Sequence, residues 1–327
     1  MTKTPTKTAT DHFDGDRYFN PTLPKGSAVS VRGVLKMMRE PRSRWPTRVE
    51  NKGVHRLNEA RAPDEVAITF VNHVTFLIQT GGFTILTDPV WSERASPFRW
   101  LGPKRVREPG VAFEELPKVD LILLSHNHYD HLDVATLRRL KQRFDPAVLA
   151  AAGDARLVGP LGFKHIRELD WWHAIEFNDI LKVTFVPAQH FSARGLSDRQ
   201  KSLWGGYLIE SHGRRIYFGG DAGYSSHFAD IKARLGAPDI ALIGIGSYEP
   251  RWFMQPAHMN PAEAVQAHRD LGARHSIGMH FGTFQLSAEA IDQPQADLRR
   301  ALLESGIPES EFVTLHEGET RVYRAAP

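Results

Sequence analysis

The sequence predicts one large α/β domain. Short apolar runs bounded by turn residues recur from Glu65 onward, the pattern of buried strands. Their order is two or three strands, then strand–helix alternation, then strands again, then a helical finish. At 327 residues the chain can bury a large core, and no internal repeat or low-complexity stretch divides it.

Composition narrows the chemistry. A net charge of +3 is small for this length and does not argue for nucleic acid; no added recognition domain or basic arm is evident either. The absence of cysteine excludes disulfides, thiolate metal ligands and cysteine nucleophiles. No apolar segment approaches the roughly twenty residues that span a bilayer, and Met1 to Asp16 lacks the apolar core of a secretory signal. The expected location is cytoplasmic, compatible with peripheral contact at the inner membrane face. Residues 1–60 read as a tail and wrapping segment, a candidate for membrane or interface contact. Within it, Val29 to Arg39 mixes apolar and basic residues, as a short amphipathic or surface-packed helix does. Residues 61–327 form the main domain.

Val66–Val71, Thr75–Gln79 and Phe83–Thr87 read as three strands, the last two joined through Gly81-Gly82. Pro89 ends the third just after Asp88. Trp91 to Pro109 is a long connection suited to a site rim. Leu121–Leu124 is a buried strand, and Asp133 can cap a helix running to about Arg143. Ala147–Ala151, Ile166–Leu169, Lys182–Val186, Trp204–Glu210, Arg214–Gly219 and Ile240–Gly244 continue as strands. Asn260 and Pro261 suit the cap and first position of a helix to about Leu271. His275–Met279 is a strand, Ser287 to about Glu304 a helix, and a short strand near Phe312–Leu315 closes the pattern.

The polar residues gather where strands stop. Ser-His-Asn-His-Tyr-Asp-His follows Leu124 and places His126, His128, Asp130 and His131 in six positions. Other apolar runs lead into His190, Asp221 and His280. Imidazole and carboxylate are ordinary ligands of zinc and related metals. Seven such groups exceed one tetrahedral zinc and suit two ions about 3.5 Å apart with a shared carboxylate and water. Taken singly, His73, His190 or His280 could equally be a satisfied core histidine.

The run His126 to His131 resembles the His-x-His-x-Asp-His signature of the metallo-β-lactamase superfamily. Further segments resemble the N-acylphosphatidylethanolamine-hydrolysing phospholipase D family. They include Leu86-Thr87-Asp88-Pro89, Gly102-Pro103-Lys104-Arg105, Gly219-Gly220-Asp221-Ala222-Gly223-Tyr224, Tyr248-Glu249-Pro250-Arg251-Trp252-Phe253-Met254 and His280-Phe281-Gly282-Thr283-Phe284. The likeness runs from about Phe70 to His316. It implies a four-layer αββα sandwich with a binuclear site at one edge of the central sheets. One zinc would take His126, His128 and His190, the other Asp130, His131 and His280, with Asp221 bridging; Mn²⁺ or Fe²⁺ are alternatives. Asp88 would orient a ligand imidazole, as would His73, although Asn72 departs from the family's glycine there. Asp130 and His258 would serve catalysis, Asp130 holding a hydroxide that bridges the ions and His258 contacting phosphate.

The implied reaction is hydrolysis of N-acylphosphatidylethanolamine or a related phospholipid to an N-acylethanolamine and phosphatidic acid. Trp252, Phe253, Met254, Phe281 and Phe284 could line an apolar groove, or be core. The alternatives are a metal-dependent lactonase or soluble phosphodiesterase of the same superfamily, and a metal-stabilised binding protein. The expected partner is a phospholipid or small phosphodiester; a homodimer is compatible.

Overall fold

A computed structural model describes residues 10–24, 33, 36, 37, 39–52, 65–195 and 197–324. Two seven-stranded sheets face each other. In the first, β1 (Val66–Asn72), β2 (Thr75–Thr80), β3 (Phe83–Thr87), β4 (Leu121–Leu124), β5 (Ala147–Ala151) and β6 (Ile166–Leu169) lie side by side in chain order. The second takes β7 (Ala174–Glu176), β8 (Leu181–Val186), β9 (Gly206–Ser211), β10 (Arg214–Phe218), β11 (Ile240–Gly244), β12 (His275–Met279) and β13 (Phe312–Thr314). The chain then returns to pair β14 (Thr320–Tyr323) with β1. Each sheet begins as an antiparallel meander and ends in parallel strands. The two halves thus share a strand plan that no sequence repeat announces.

The apolar runs are continuous because both faces of these strands are covered. In β4, Leu121 and Leu123 enter the large core cluster that also holds Val183, Phe185, Ile209 and Phe218 of the second sheet. Ile122 and Leu124 point the other way, into a cluster with Leu137 and Leu140 of helix α1 (Val134–Arg143) and Val158 of α2 (Ala155–Val158). On the far side, Phe228 and Ile231 of α3 (His227–Leu235) join the large cluster. So do Val265 and Leu271 of α5 (Pro261–Leu271) and Leu298 and Leu302 of α6 (Gln293–Ser305). The result is the four-layer αββα sandwich of the metallo-β-lactamase type. One short helix, α4 (Arg251–Met254), stands apart and serves the site.

Local chemistry sets the boundaries. Asp133 caps α1 by accepting from Ala135 N and Thr136 N at 3.0 and 3.2 Å. Asn260 and Glu263 form a reciprocal capping box at α5, with Pro261 at its first position. The β9–β10 hairpin turns through His212 and Gly213 at φ 48° and 73°, the paired positive values of a two-residue turn that follows the strand twist. Three features depart from the sequence reading. Helix α6 starts at Gln293 rather than Ser287, with Pro294 in its first turn. Strands β7 and β14 are extra: they are three- and four-residue edge strands with mostly half-exposed side chains and no apolar run to mark them. Helices α3 and α4 are also extra, the latter in a stretch that reads as loop. Of the expected helix Val29–Arg39, the described residues Gly33, Lys36, Met37 and Arg39 are helical, and the rest lies outside the described residues.

Residues 10–24 are strapped across the domain. Phe13 and Tyr18 enter the main core with rings 4.7 Å apart. His12 stacks on Trp171 at 4.3 Å, and its Nε2 lies 2.7 Å from Asp170 Oδ1. Burial alone would lower the pKa of His12, but the Asp170 and Asp11 carboxylates outweigh it and raise it. The same pairing lowers Asp170 against the effect of its own burial. A raised histidine contributes stability that is complete below its unfolded value and is lost as pH rises through the folded one; a depressed aspartate loses its share as pH falls through its folded value. The strap is therefore held best between about pH 4 and 6.5. Hydrogen-exchange protection at Tyr18 and Phe19 N–H, corrected for intrinsic rates, should fall above that window. His12→Phe should remove the pH dependence while keeping the stack; an unchanged profile would contradict the assignment.

Candidate metal centre

Every expected metal ligand, and His73 and Asp88 beside them, sits just past a strand end or in a tight turn. His126 to His131 follow β4, His190 follows β8, Asp221 follows β10 and His280 follows β12. His73 sits in the β1–β2 turn and Asp88 directly after β3. His73, Asp88 and His280 have φ of 47°, 30° and 63°, a region costly for residues other than glycine. The left-handed turn swings each side chain inward instead of along its strand. Gly220 supplies the closest approach: a Cβ there would lie 2.7 Å from Ser125 Cβ, so only glycine lets Asp221 and the β4 loop meet.

The donors fall into four overlapping groups, each able to hold a metal ion, with ligand atoms within 4.8 Å of one another. One holds His126, His128, His190 and Asp221, another His73, Asp130, His131 and His280; two smaller ones hold Asp88, His126 and His131, and Asp221, His258 and His280. Asp221 Oδ2 joins them. It lies 3.1 Å from His131 Nε2, 3.2 Å from His280 Nε2, 3.7 Å from His190 Nε2 and 4.0 Å from His126 Nε2. Asp130 Oδ2 lies 2.9 Å from His73 Nε2, 3.3 Å from His280 Nε2 and 3.5 Å from His131 Nε2. His258 Nδ1, grouped with Asp221 and His280, stands 3.8 Å from Asp221 Oδ2.

Electrostatics mark the same place. Burial would raise both Asp130 and Asp221, yet the neighbouring imidazoles hold them well below the usual carboxylate range. Conversely, burial works against charge on His280, but Asp221 and Asp130 push its pKa up to about 9, and they raise His131 too. His128 and His190, dominated by burial, fall to about 4 and 3. Two buried carboxylates thus draw positive charge into the cluster. Polar atoms are left over as well: Asp221 Oδ1 and both ring nitrogens of His280 are buried without an aligned hydrogen bond. Orphaned donors and acceptors converging in a cysteine-free set of imidazoles and carboxylates fit divalent ions that favour nitrogen and oxygen.

Supporting contacts fix the ligand rings. Asp88 accepts from Ser125 N at 2.7 Å, Ser125 Oγ at 2.5 Å and His131 Nδ1 at 2.7 Å. His190 Nδ1 is 2.9 Å from Ala257 O. Arg194 Nη1 donates to Asn127 O and Leu132 O, both at 2.8 Å, and so brackets the β4 loop. Asn20 grips His190 from the strap, donating from Nδ2 to its carbonyl at 2.8 Å and accepting its N–H at 3.2 Å. Sequence reasoning missed Arg194 and Asn20; neither lies in a periodic or motif-like context that would single it out.

A cavity of about 620 Å³ opens onto the cluster. His128, Asp130, His190, Asp221 and His258 line one part of it; Leu23, Pro24, Met37, Phe253, Met254 and Leu286 form apolar walls. Phe253 and Met254 of α4 are thus at the cavity. Trp252, 46% exposed, and the buried Phe281 and Phe284 are not among its lining residues. Phe281 stacks on Phe70 at 5.9 Å, and Phe284 packs edge-on against His73 at 5.3 Å. The 91–109 loop, expected as a rim, contributes no lining residue. Among the described residues, no helix is long and apolar enough to cross a membrane.

Paired mixed sheets with two imidazole–carboxylate groups at one edge define a metal-dependent hydrolase fold. The chain belongs to the beta-lactamase superfamily: residues 84–281 match its domain. It is 38% identical over 263 residues to N-acyl-phosphatidylethanolamine-hydrolyzing phospholipase D 1 of Caenorhabditis elegans, covering 77% of this chain and 74% of that protein. The mitochondrial N-acyl-phosphatidylethanolamine-hydrolyzing phospholipase D of Saccharomyces cerevisiae is 39% identical over 223 residues, covering 66% of this chain and 47% of that one. Among solved structures, an isothiocyanate hydrolase from Delia radicum gut bacteria shares the fold with a TM-score of 0.65 and 24% identity, over 79% of this chain and 100% of its own.

Asp88→Asn should keep the side-chain volume but present an amide donor to Ser125 or His131. Metal affinity should fall about 10- to 100-fold, the usual cost of losing a ligand's hydrogen-bond partner. Competition with a chelator measures this, and unchanged affinity would contradict the orienting role of Asp88.

Proposed function

We propose that this protein is a binuclear zinc phosphodiesterase that hydrolyses N-acylphosphatidylethanolamine or a related phospholipid in the manner of a phospholipase D. The observation that carries the reading is the cavity, which joins the donor cluster to apolar walls. A lipid phosphodiester needs both surfaces at once, and a small soluble ester needs only the first. The likeness to the worm and yeast phospholipases supports the same substrate class.

In this reading His126, His128 and His190 hold one ion and Asp130, His131 and His280 the other, with Asp221 shared. Two divalent ions there would supply Lewis-acid polarisation of a phosphoryl oxygen and a lowered pKa for a shared water. The chain's own residues do the rest. Asp130 Oδ2, steadied by His73 Nε2 at 2.9 Å, holds and orients the attacking hydroxide. His258 faces the cavity, and burial holds its pKa down at about 3, so it meets phosphate as a neutral imidazole that can donate one hydrogen bond. Leu23, Met37, Phe253 and Met254 take the acyl chains and exclude water from them.

Zinc-loaded protein mixed with N-acylphosphatidylethanolamine in vesicles should release N-acylethanolamine and leave phosphatidic acid; a chelator should stop the reaction. No turnover across a panel of glycerophospholipids, with two ions bound, would overturn the reading. Asp130→Asn should lower kcat by at least about 100-fold, the scale of misplacing the nucleophile. His190→Ala and His280→Ala should each lose about one ion, from opposite groups. Metal analysis checks this, and two ions retained in both variants would refute the ligand assignment.

A further inference from the structure

Among the described residues, burial lowers the pKa of Arg105, Arg194 and Arg199, and two of these have clear structural duties. Arg105 donates to the carbonyls of Ser92, Arg107 and Val90, and Arg194 to those of Asn127 and Leu132. Arg199 differs. Among the described residues its guanidinium makes no hydrogen bond and no ion pair, and its Nε is buried without an acceptor. Burial lowers its pKa, and no carboxylate offsets the effect. Its one defined contact is aromatic: the guanidinium carbon lies 4.1 Å from the Phe191 ring centroid.

The position of this cation is informative. Arg199 lines the cavity together with Phe191, His190 and His128. Phe191 stacks on His190 at 5.0 Å, so one ring is shared between the guanidinium and the metal centre. The neighbouring Arg17 already has a carboxylate, with Nε 3.3 Å from Asp16 Oδ2, and donates from Nη1 to Arg199 O. Asp14, also at the cavity, is engaged by the backbone N–H groups of Asp16 and Arg17. With Nε buried and lacking an acceptor, the guanidinium has a donor free for an anion that a ligand brings into the cavity. The guanidinium stands one aromatic ring away from the ligand His190, offset from where the donor cluster would hold the scissile phosphodiester.

We infer that Arg199 anchors a second acidic group of the substrate, a carboxylate or a phosphate, separate from the phosphodiester that is cleaved. The inference rests on the phosphodiesterase reading above and narrows its substrate class to phospholipids carrying an acid beyond the diester. Arginine suits the task, because its planar fork can donate two parallel hydrogen bonds to either oxyanion.

The test compares three lipids: N-acylphosphatidylethanolamine, the same lipid with a carboxylate on the head-group carbon next to nitrogen, and the same lipid with a phosphate monoester on the head group. Wild-type protein should favour at least one of the two acid-bearing lipids in kcat/KM by about tenfold or more, the scale of a charge-assisted hydrogen bond. Which one it favours identifies the acid. Arg199→Gln should collapse that ratio toward one, and Arg199→Lys should restore part of it, with metal content and circular dichroism showing that both variants fold. Calorimetric binding of non-hydrolysable phosphonate analogues of the three lipids to metal-loaded protein gives a readout independent of turnover. If no lipid is cleaved but the acid-bearing analogues still bind more tightly in an Arg199-dependent way, the reaction class fails and the anchor stands. Equal affinity for all three analogues in wild type, or a preference that survives Arg199→Gln, overturns the anchor.

Discussion

Asp221 is the constraint around which this molecule is built. A carboxylate buried in a protein interior is stable only when charge and hydrogen bonds replace the water it loses. Imidazoles supply that charge here, and they come from both sheets. His126 and His131 arrive from the first, His190 and His280 from the second. Bringing them to one oxygen requires the sheets to face each other with corresponding strand ends at one edge. The sandwich satisfies this, and its two halves, each a meander followed by parallel strands, deliver loops to the same edge.

Rigid backbone then fixes what the strands deliver. Tyr207 of β9 reaches across the core to the carbonyls of Leu124 and Leu149, at 2.9 and 3.1 Å, and ties the second sheet to the strand that launches the β4 loop. Arg194 closes that loop from its other side. Left-handed turns at His73, Asp88 and His280 store local strain that a surface loop would relax, and the surrounding core holds them in place. The strap of residues 10–24 finishes the site: Asn20 secures His190, and Leu23 and Pro24 wall the cavity. The strap thus supplies one wall of the cavity, beside Met37, Phe253, Met254 and Leu286.

How much of this could be read in the sequence depended on whether physics left a periodic trace. Leu121–Leu124 and Ile240–Gly244 were legible because strands covered on both faces must be continuously apolar. Asp133, Asn260 and Pro261 were legible because helix starts demand particular residues. The donors stood out because each follows such a run, and His126 to His131 crowd together besides. Strands β7 and β14 left no trace, since an edge strand with half-exposed side chains needs no apolar pattern. The cavity walls were the hardest part. Phe281 and Phe284 fit either groove or core in sequence and are buried in space, whereas Asn20, Leu23 and Arg199 belong to irregular segments whose role depends wholly on where the chain is laid down.

The central claim is that this sheet edge holds two ions across Asp221. Anomalous scattering from crystals of the zinc-loaded protein tests it directly. The account predicts two peaks about 3.5 Å apart, one among His126, His128 and His190, the other among Asp130, His131 and His280, with Asp221 touching both. A single peak, or two ions that do not share Asp221, would contradict it.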